Sequence, residues 1–494
     1  MKDIIKKMRW GFVERKLRYS RERGNLAGVH RHSRKRGNLV HIALFLSLLF
    51  SPCIYAADVQ EFTLKNGLKL FVKEDHRAPL VATQVWYKVG SGDEVTGHTG
   101  ISHLLEHMMF KGTEKYPQGE LDKIIARHGG TQNAFTSSDM TAYIQKMPSD
   151  QLDISFELEA DRMANLKMQQ EAFDKELQVV LEERRMRYED NPQALTYERF
   201  LAAAYIANPY HNPTIGWMDD IKQVTRDQAY QWYKNWYAPN NAIIVVVGDV
   251  NPKDVDKLAE KYFGKIKPTK IARRLPDLSL KPLGKRELVV KAPAKLSWLV
   301  MGYNVPHYTK FEKSWEPYAL IVLAGILDGG KSARLEKDLI REKRIALEIS
   351  ASFSPYKRYG TLFKFTGVPA KDVTPKQLEE AIISEINQLK KELVTEQELS
   401  RVKAQAVAEH VYEKDSMSGQ AFEIGGLEII GLSWREGEEF PKKIEAVTAE
   451  QVHEVAKKYL VEDRLTVAIL EPLPIENGKE IPETFKPGVH NHVH

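Results

Sequence analysis

The chain has 494 residues, 43% of them hydrophobic, which is ample for two or more compact domains with buried cores and sets the fibrous and disordered classes aside. Its formal charge of +5 is concentrated at the front, where Met1 to Gly37 hold thirteen Lys or Arg against Asp3, Glu14 and Glu22, so the remainder is mildly acidic. That remainder lacks the clustered positive field that a phosphate backbone requires, and nucleic acid drops out as a partner.

Directly after the basic stretch, the apolar run Leu39 to Phe50 leads into Ser51-Pro-Cys53-Ile-Tyr-Ala56-Ala57. Positive region, apolar core and small residues follow in the order of a secretory signal, so residues 1–56 read as a signal peptide with a long basic n-region, cut after Ala56 or Ala57. Export, to the periplasm, is expected, with an anchor formed by the uncleaved signal as the alternative. The run is too short to cross a bilayer comfortably and no other run reaches that length, so no stable membrane span is expected after processing. Cys53 is the only cysteine, which rules out a disulfide framework and leaves His and carboxylates as the metal-binding side chains.

Strands are expected over Gln60 to Lys73 and Val81 to Val89, followed by Gly100-Ile-Ser-His103-Leu-Leu-Glu106-His107-Met-Met-Phe110. At about 100° per residue, His103, Glu106 and His107 share one arc of about 100° on a helix. Two imidazoles one turn apart suit a single Zn2+, and the carboxylate beside them is placed to take a proton from water at the metal, the inverted H-x-x-E-H arrangement. The plainer reading is a helix whose histidines are polar neighbours of a core. The apolar residues around them, Leu104, Leu105, Met108, Met109 and Phe110, argue against it, because three ionisable groups on a buried helix need a metal or partners.

A catalytic zinc takes three protein ligands and keeps one open position. The acid-rich helical stretch Glu171 to Asp190 is the place to look for the third. There Glu176 and Glu183 are two turns apart and share a face, whereas Glu182 points elsewhere. A strand is also expected over Thr141 to Gln145.

Val224-Thr225-Arg-Asp-Gln228, a helical stretch through Tyr237 and the strand Ala242 to Val247 recur in order as Val447-Thr448-Ala-Glu-Gln451, a stretch through Tyr459 and the strand Leu465 to Leu470. In both, Thr precedes Gln by three, the spacing of a capping box, so the chain reads as two homologous domains. Lys265 to Arg286, broken by Pro268, Pro276 and Pro282, is the expected linker. The domains are then 57–264, which would bind the zinc, and 287–484, with strands over Arg286 to Val290 and Leu296 to Tyr303 and a tail at 485–494. Strands and helices do not alternate strictly, which favours α+β sandwiches with largely antiparallel sheets. The tail's Val489-His-Asn-His-Val-His494 is given no role.

The stretch Thr99 to Thr113 around the motif, with Glu183 closing Val179-Val-Leu-Glu-Glu183, resembles the pitrilysin or insulinase-type zinc peptidases. The bacterial and mitochondrial-processing-peptidase-like branch is closest in length, and the resemblance takes in Gly129 to Thr136 and the internal repeat. It implies one Zn2+ per chain with Glu183, not Glu182, as third ligand, Glu176 as the acidic residue kept beside the site, and Glu106 as general base. It also implies two similar domains enclosing a hollow, with peptide added as a strand along an edge matched by Asn133 to Tyr143, so that Asn133, Ala134 and Phe135 become substrate contacts. The second half carries plain core at Leu320 to Leu327 where a second site would stand. The family's Arg and Tyr for the substrate carbonyl are matched only at Arg341, because Glu348 stands where the Tyr is expected. A dimer, and in particular a heterodimer with a homologous chain bearing that pair, is therefore expected, unless Tyr356 or Tyr359 serves instead.

The function implied is a zinc-dependent endopeptidase cleaving extended or unfolded peptides with metal-activated water. The competing class is a non-catalytic scaffold or assembly subunit of the same fold, against which the intact His103, Glu106, His107 and Glu183 argue.

Overall fold

A computed structural model describes residues 58–274 and 284–475. The expected signal peptide with Cys53, the middle of the expected linker and the His-rich tail lie outside the described residues. Within them no helix is long and apolar enough to cross a membrane.

The chain enters through β1 (Gln60–Thr63) and β2 (Lys69–Glu74), which correct the expected single strand Gln60 to Lys73. The alternation runs on through a turn at Asn66-Gly67, so side-chain period alone does not show the break. Gly67 takes φ +89°, and the Asn66 amide donates to the Phe263 and Ile266 carbonyls at 2.8 and 3.0 Å, fixing the reversal. The strands then follow as β3 (Leu80–Tyr87), β4 (Thr131–Thr136), β5 (Thr141–Pro148) and β6 (Ala242–Gly248). In the second half they are β7 (Arg286–Pro293), β8 (Trp298–Val305), β9 (Ala346–Ser352), β10 (Thr361–Pro369) and β11 (Leu465–Leu473).

The first sheet has the order β1-β2-β6-β3-β5-β4 and the second β7-β11-β8-β10-β9. Only β2 with β6 and β7 with β11 run parallel, so both sheets are largely antiparallel, as the irregular strand and helix order suggested. Apart from β1 the two sheets repeat one topology strand for strand, which is the internal repeat in three dimensions. The repeated Thr and Gln do what their spacing predicts. Thr225 and Gln228, and later Thr448 and Gln451, form reciprocal capping boxes that open a helix, and each helix feeds a strand inside its sheet, β6 or β11.

The helices of the first half are α1 (Ile101–Met108), α2 (Glu120–Arg127), α3 (Leu152–Asn165), α4 (Gln170–Arg184), α5 (Pro192–Ala204), α6 (Met218–Gln223), α7 (Arg226–Trp236) and α8 (Pro252–Tyr262). Those of the second half are α9 (Glu316–Leu327), α10 (Pro375–Lys391), α11 (Glu396–Glu413), α12 (Met417–Ile429), α13 (Arg435–Glu445) and α14 (Ala449–Tyr459). Helices lie on both faces of each sheet, and one layer on each is lent by the other half. α12 lays Met417, Ala421 and Ile424 on Phe71, Trp86 and Val245 of the first sheet. Reciprocally, α5 lays Phe200 and Ala204 on Trp298, Val300 and Ala468 of the second. The contact is close: a Cβ added at Gly425 of α12 would lie 2.3 Å from the Trp86 ring, so only glycine lets the helix seat there. The covalent link between halves therefore does not divide the packing, because each sheet is covered on one face by its neighbour's helix.

Candidate metal centre

All eight residues of α1 are buried. The helix starts where it does because Gly100 adopts φ +87° with its backbone against Ile215, and a Cβ would meet the Ile215 carbonyl oxygen at 2.4 Å. With no side-chain cap at its N-cap position, α1 borrows one carboxylate for its first N–H groups, and a second holds the loop that enters it. Glu94 accepts from the backbone N–H groups of Gly100 and Ser102, both at 2.8 Å, while Asp220 accepts from the Gly97 and Thr99 N–H groups and the Thr99 hydroxyl. Burial pushes the Glu94 carboxyl up to about 7, with the Ser102 and Gly100 N–H groups opposing the rise. Neither acid stands out in the sequence, since both act across a loop rather than at capping-box spacing.

α1 and α4 cross so that His103, His107 and Glu183 each offer a ligand atom, all within 4.8 Å of one another. The Nε2 atoms of His103 and His107 lie 3.7 and 3.5 Å from the same Glu183 oxygen, and the imidazole centroids are 4.7 Å apart. Two imidazoles and one carboxylate, the histidines buried and the glutamate nearly so, form a donor set that suits zinc with a position left open.

Glu182 is exposed and pairs with Arg185 at 2.9 Å, away from the cluster, as the helical phase required. Glu176, one face with Glu183, accepts from His107 Nδ1 at 2.8 Å and so orients that ring with Nε2 toward the cluster. Its other oxygen pairs with Lys111 at 2.5 Å. Burial acts against the protonated imidazole of His107, but Glu176 and Glu183 outweigh it and push the group up to about 9. The same pairing, with Lys111, holds Glu176 below the usual carboxylate range although burial opposes it. Arg187, one turn beyond Glu183, reaches the latter's second oxygen at 2.8 Å.

Glu106 is fully buried on the same helix, and the hydroxyl of Thr136 on β4 donates to it. Thr136 thus ties the metal helix to the sheet edge. Its neighbour Ala134 faces the same way into the core, while Asn133 and Phe135 turn to the opposite face, where Phe135 packs edge-on against Trp86 at 5.6 Å and stacks on Phe422 of α12. β4 pairs with β5 alone among the described strands, so its outer edge is the free margin of the sheet.

The structure thus brings together His103, Glu106, His107, Glu176 and Glu183. Arg341 lies elsewhere: it is exposed at the end of the π-helical segment Leu335–Glu342, with its guanidinium on the Lys331 carbonyl. Glu348 is exposed on β9, the margin of the second sheet. Tyr356 stacks on Tyr308, and Tyr359 packs against Tyr210. Thr136, Lys111, Glu94 and Asp220 were not singled out by sequence. Thr136 closes the very run that carries Asn133 to Phe135, and was the one among them with a signal.

Two family models match this chain, one described as Insulinase (Peptidase family M16) over residues 69–217 and one as Peptidase M16 inactive domain over residues 223–406. The chain is 33% identical over 431 residues to the zinc protease PqqE of Helicobacter pylori, spanning 85% of this chain and 94% of that one. It is 28% identical over 417 residues to the uncharacterized zinc protease YmxG of Bacillus subtilis, spanning 84% and 98%. The crystal structure of a protease from Helicobacter pylori superposes with a TM-score of 0.80 at 32% identity, over 84% of this chain and 100% of that one. The periplasmic protease PqqL from Escherichia coli shares the fold, with a TM-score of 0.72 at 18% identity over 88% of this chain and 52% of that one. The duplicated sheets, the inverted motif on a buried helix and a relative one-third identical over nearly its whole length lead to one assignment: the chain belongs to peptidase family M16, the pitrilysin and insulinase type.

Proposed function

We propose that the chain is a zinc-dependent endopeptidase acting on extended or unfolded peptides, with His103, His107 and Glu183 as the metal ligands and Glu106 as the general base. The observation that carries this reading is the convergence of the three ligand atoms beside Glu106 on one buried helix. One Zn2+ bound there would supply a Lewis acid and lower the pKa of water in its open position. Glu106 then accepts the proton of the attacking water and returns it to the leaving amine. Thr136 holds that carboxylate toward the margin of β4. Glu176, braced by Lys111, keeps His107 in the ligating orientation.

Substrate adds as a strand to the outer edge of β4 along Asn133, Ala134 and Phe135, where backbone N–H and C=O groups are offered only to a segment that can extend. The basic and then apolar start of the chain favours export. Arg341 without a tyrosine at Glu348 favours a dimer in which a homologous chain supplies the pair for the substrate carbonyl.

The test is hydrolysis of an unstructured reporter peptide by the purified chain. Activity should vanish with a chelator, return with Zn2+, and be absent in Glu106→Gln although that variant retains zinc. A zinc-replete wild-type chain that cleaves no extended peptide, with or without a homologous partner, would leave the scaffold reading standing.

A further inference from the structure

The loop between β9 and β10 of the second half sends Arg358 into the first half at the point where the two elements of the candidate site meet. Its guanidinium donates to both oxygens of Asp93, Nη1 to Oδ1 at 3.0 Å and Nη2 to Oδ2 at 2.8 Å. The same side chain approaches Asp139, with Nε 3.3 Å from Oδ1, and its Nη2 reaches the Ser138 carbonyl at 3.4 Å. Both carboxylates are fully buried, and the guanidinium is 15% exposed. Arg274 adds a second cation 3.5 Å from Asp93, and the Tyr210 hydroxyl donates to Asp139, so each acid has a further polar partner besides Arg358.

The two acids sit at the ends of different functional elements. Asp93 closes the turn Ser91–Asp93, and the next residue is Glu94, whose carboxylate holds the first N–H groups of α1. Asp139 belongs to the turn between β4 and β5, at the end of the strand that carries Thr136. These turns are bonded to each other, Ser91 N–H to the Ser137 carbonyl at 3.1 Å and Gly92 N–H to the Ser138 carbonyl at 2.8 Å. They also lie close enough that a Cβ at Gly90 would meet the Ser137 oxygen at 2.2 Å. Arg358 grips both turns from outside the first half.

We propose that Arg358 is a positioning residue through which the second half sets the spacing between the metal helix and the β4 edge, and hence between the base and the bound peptide. Its role is to position, not to contact the reacting atoms. Its effect passes through Asp93 and Glu94 to α1 and through Asp139 to β4. A bidentate arginine suits that task because its planar fork defines an orientation as well as a charge, whereas lysine gives only the charge. This role rests on the peptidase reading above for its kinetic consequence, and on the fold alone for its structural one.

The test uses the zinc-loaded full chain and its Arg358→Met, Arg358→Lys and Asp139→Asn variants. Arg358→Met should keep its zinc but melt lower, because the buried Asp93 and Asp139 lose their counter-charge, while kcat measured well below the melting transition falls by about 10²-fold with KM little changed, the mark of misplacement by a fraction of an ångström to an ångström. Arg358→Lys should recover part of that loss. Hydrogen exchange should quicken at the Gly92, Gly100 and Ser102 amides and in the β4–β5 turn, and stay unchanged in α9 and α10. Asp139→Asn, which removes one arm, should give the same local exchange pattern with a smaller loss of kcat and decides the matter if Arg358→Met does not fold. The proposal is overturned if kcat stays within about twofold of wild type, if it falls only in step with zinc content, or if exchange rises evenly over the chain. A wild-type chain without zinc-dependent hydrolysis would sink the peptidase reading instead, and the exchange pattern would then decide the tether by itself.

Discussion

Thr136→Val isolates the contact that joins Glu106, the proposed general base, to β4, the proposed substrate edge. Valine keeps the β-branched shape of a buried strand residue and deletes only the hydroxyl, whose partners are the Glu106 carboxylate and, at 3.3 Å, the Thr141 hydroxyl. A hydrogen bond to a charged group is worth about 1.5–3 kcal/mol. If that energy holds Glu106 in its reactive orientation, its loss corresponds to about 10- to 150-fold in kcat, because 1.4 kcal/mol is a factor of ten. Zinc content should not change, since neither partner is a ligand, and KM should move little, because the backbone edge of β4 is intact. Thr136→Ser restores a donor and should recover most of the rate. Steady-state kinetics on an unstructured reporter peptide, with zinc measured on the same samples, gives the answer. A Val variant as fast as wild type, with its metal in place, would show that Thr136 does not position the base.

Three further outcomes follow from the geometry. Glu183→Gln should weaken zinc binding by at least the roughly 10- to 100-fold that loss of an outer partner costs, whereas Glu182→Gln, on the exposed face with Arg185, should leave it unchanged; equal metal titrations of the two would refute the ligand assignment. Arg334 and the Thr395 N–H hold Glu398 at about 2 against its burial, so this carboxylate stabilises the fold fully above pH 4.5 and progressively less as the pH falls toward 2. Glu398→Gln should accordingly cost about 1–2 kcal/mol at pH 7, after solvent screening, and only a small fraction of that at pH 2, where the native carboxyl is half protonated, which denaturation at the two pH values would check. Weak turnover by the isolated chain that rises with Glu348→Tyr or with an added homologous partner is expected from the missing tyrosine; robust turnover unchanged by Glu348→Tyr and lowered by Tyr356→Phe or Tyr359→Phe would refute the partner.

The candidate metal cluster was legible because its parts lie at fixed helical spacings. His103 and His107 are one turn apart, and Glu176 and Glu183 two turns apart, so each pair shares a face before any tertiary structure is known. The capping boxes at Thr225 and Thr448 were legible for the same reason. What joins these local units was not. Glu94 caps α1 and Asp220 holds the loop that enters it from outside the helix's own sequence window, Thr136 reaches Glu106 across 30 positions, and Arg358 reaches Asp93 across 265. Hydrogen bonds of that span follow from the strand order, and the strand order is decided by burial of whole faces rather than by any short pattern. The turn at Asn66-Gly67 is a different case. Its dipeptide is a strong hairpin signal, but the alternation of side chains on either side remains in phase and reads as one strand.

The duplicated topology raises the question of why the first half puts two histidines and a glutamate in the body of its helix α1 where the second half has the apolar run Leu320 to Leu327. α1 buries two imidazoles and a carboxylate, and such groups are tolerable in a core only with ligands and counter-charges, here Glu176, Lys111, Glu183 and Arg187. The counterpart α9 buries Leu320, Val322, Leu323, Ile326 and Leu327 instead, each worth about 1.5–3 kcal/mol of apolar burial with no partner required. The buried acid of α9, Glu316, stands at the start of the helix and is met by Lys458 and Tyr459, so no ionisable group of that helix lies among the Leu320 to Leu327 side chains. The second half's contribution lies in what it sends across the boundary: α12, whose Gly425 lets it press on Trp86 behind the β4 edge, and Arg358, which grips the turns that hold α1 and β4. Substitutions in α9 should therefore act on stability alone, and those at Arg358 on the rate as well, because only the latter lie on a chain of contacts that reaches Glu106.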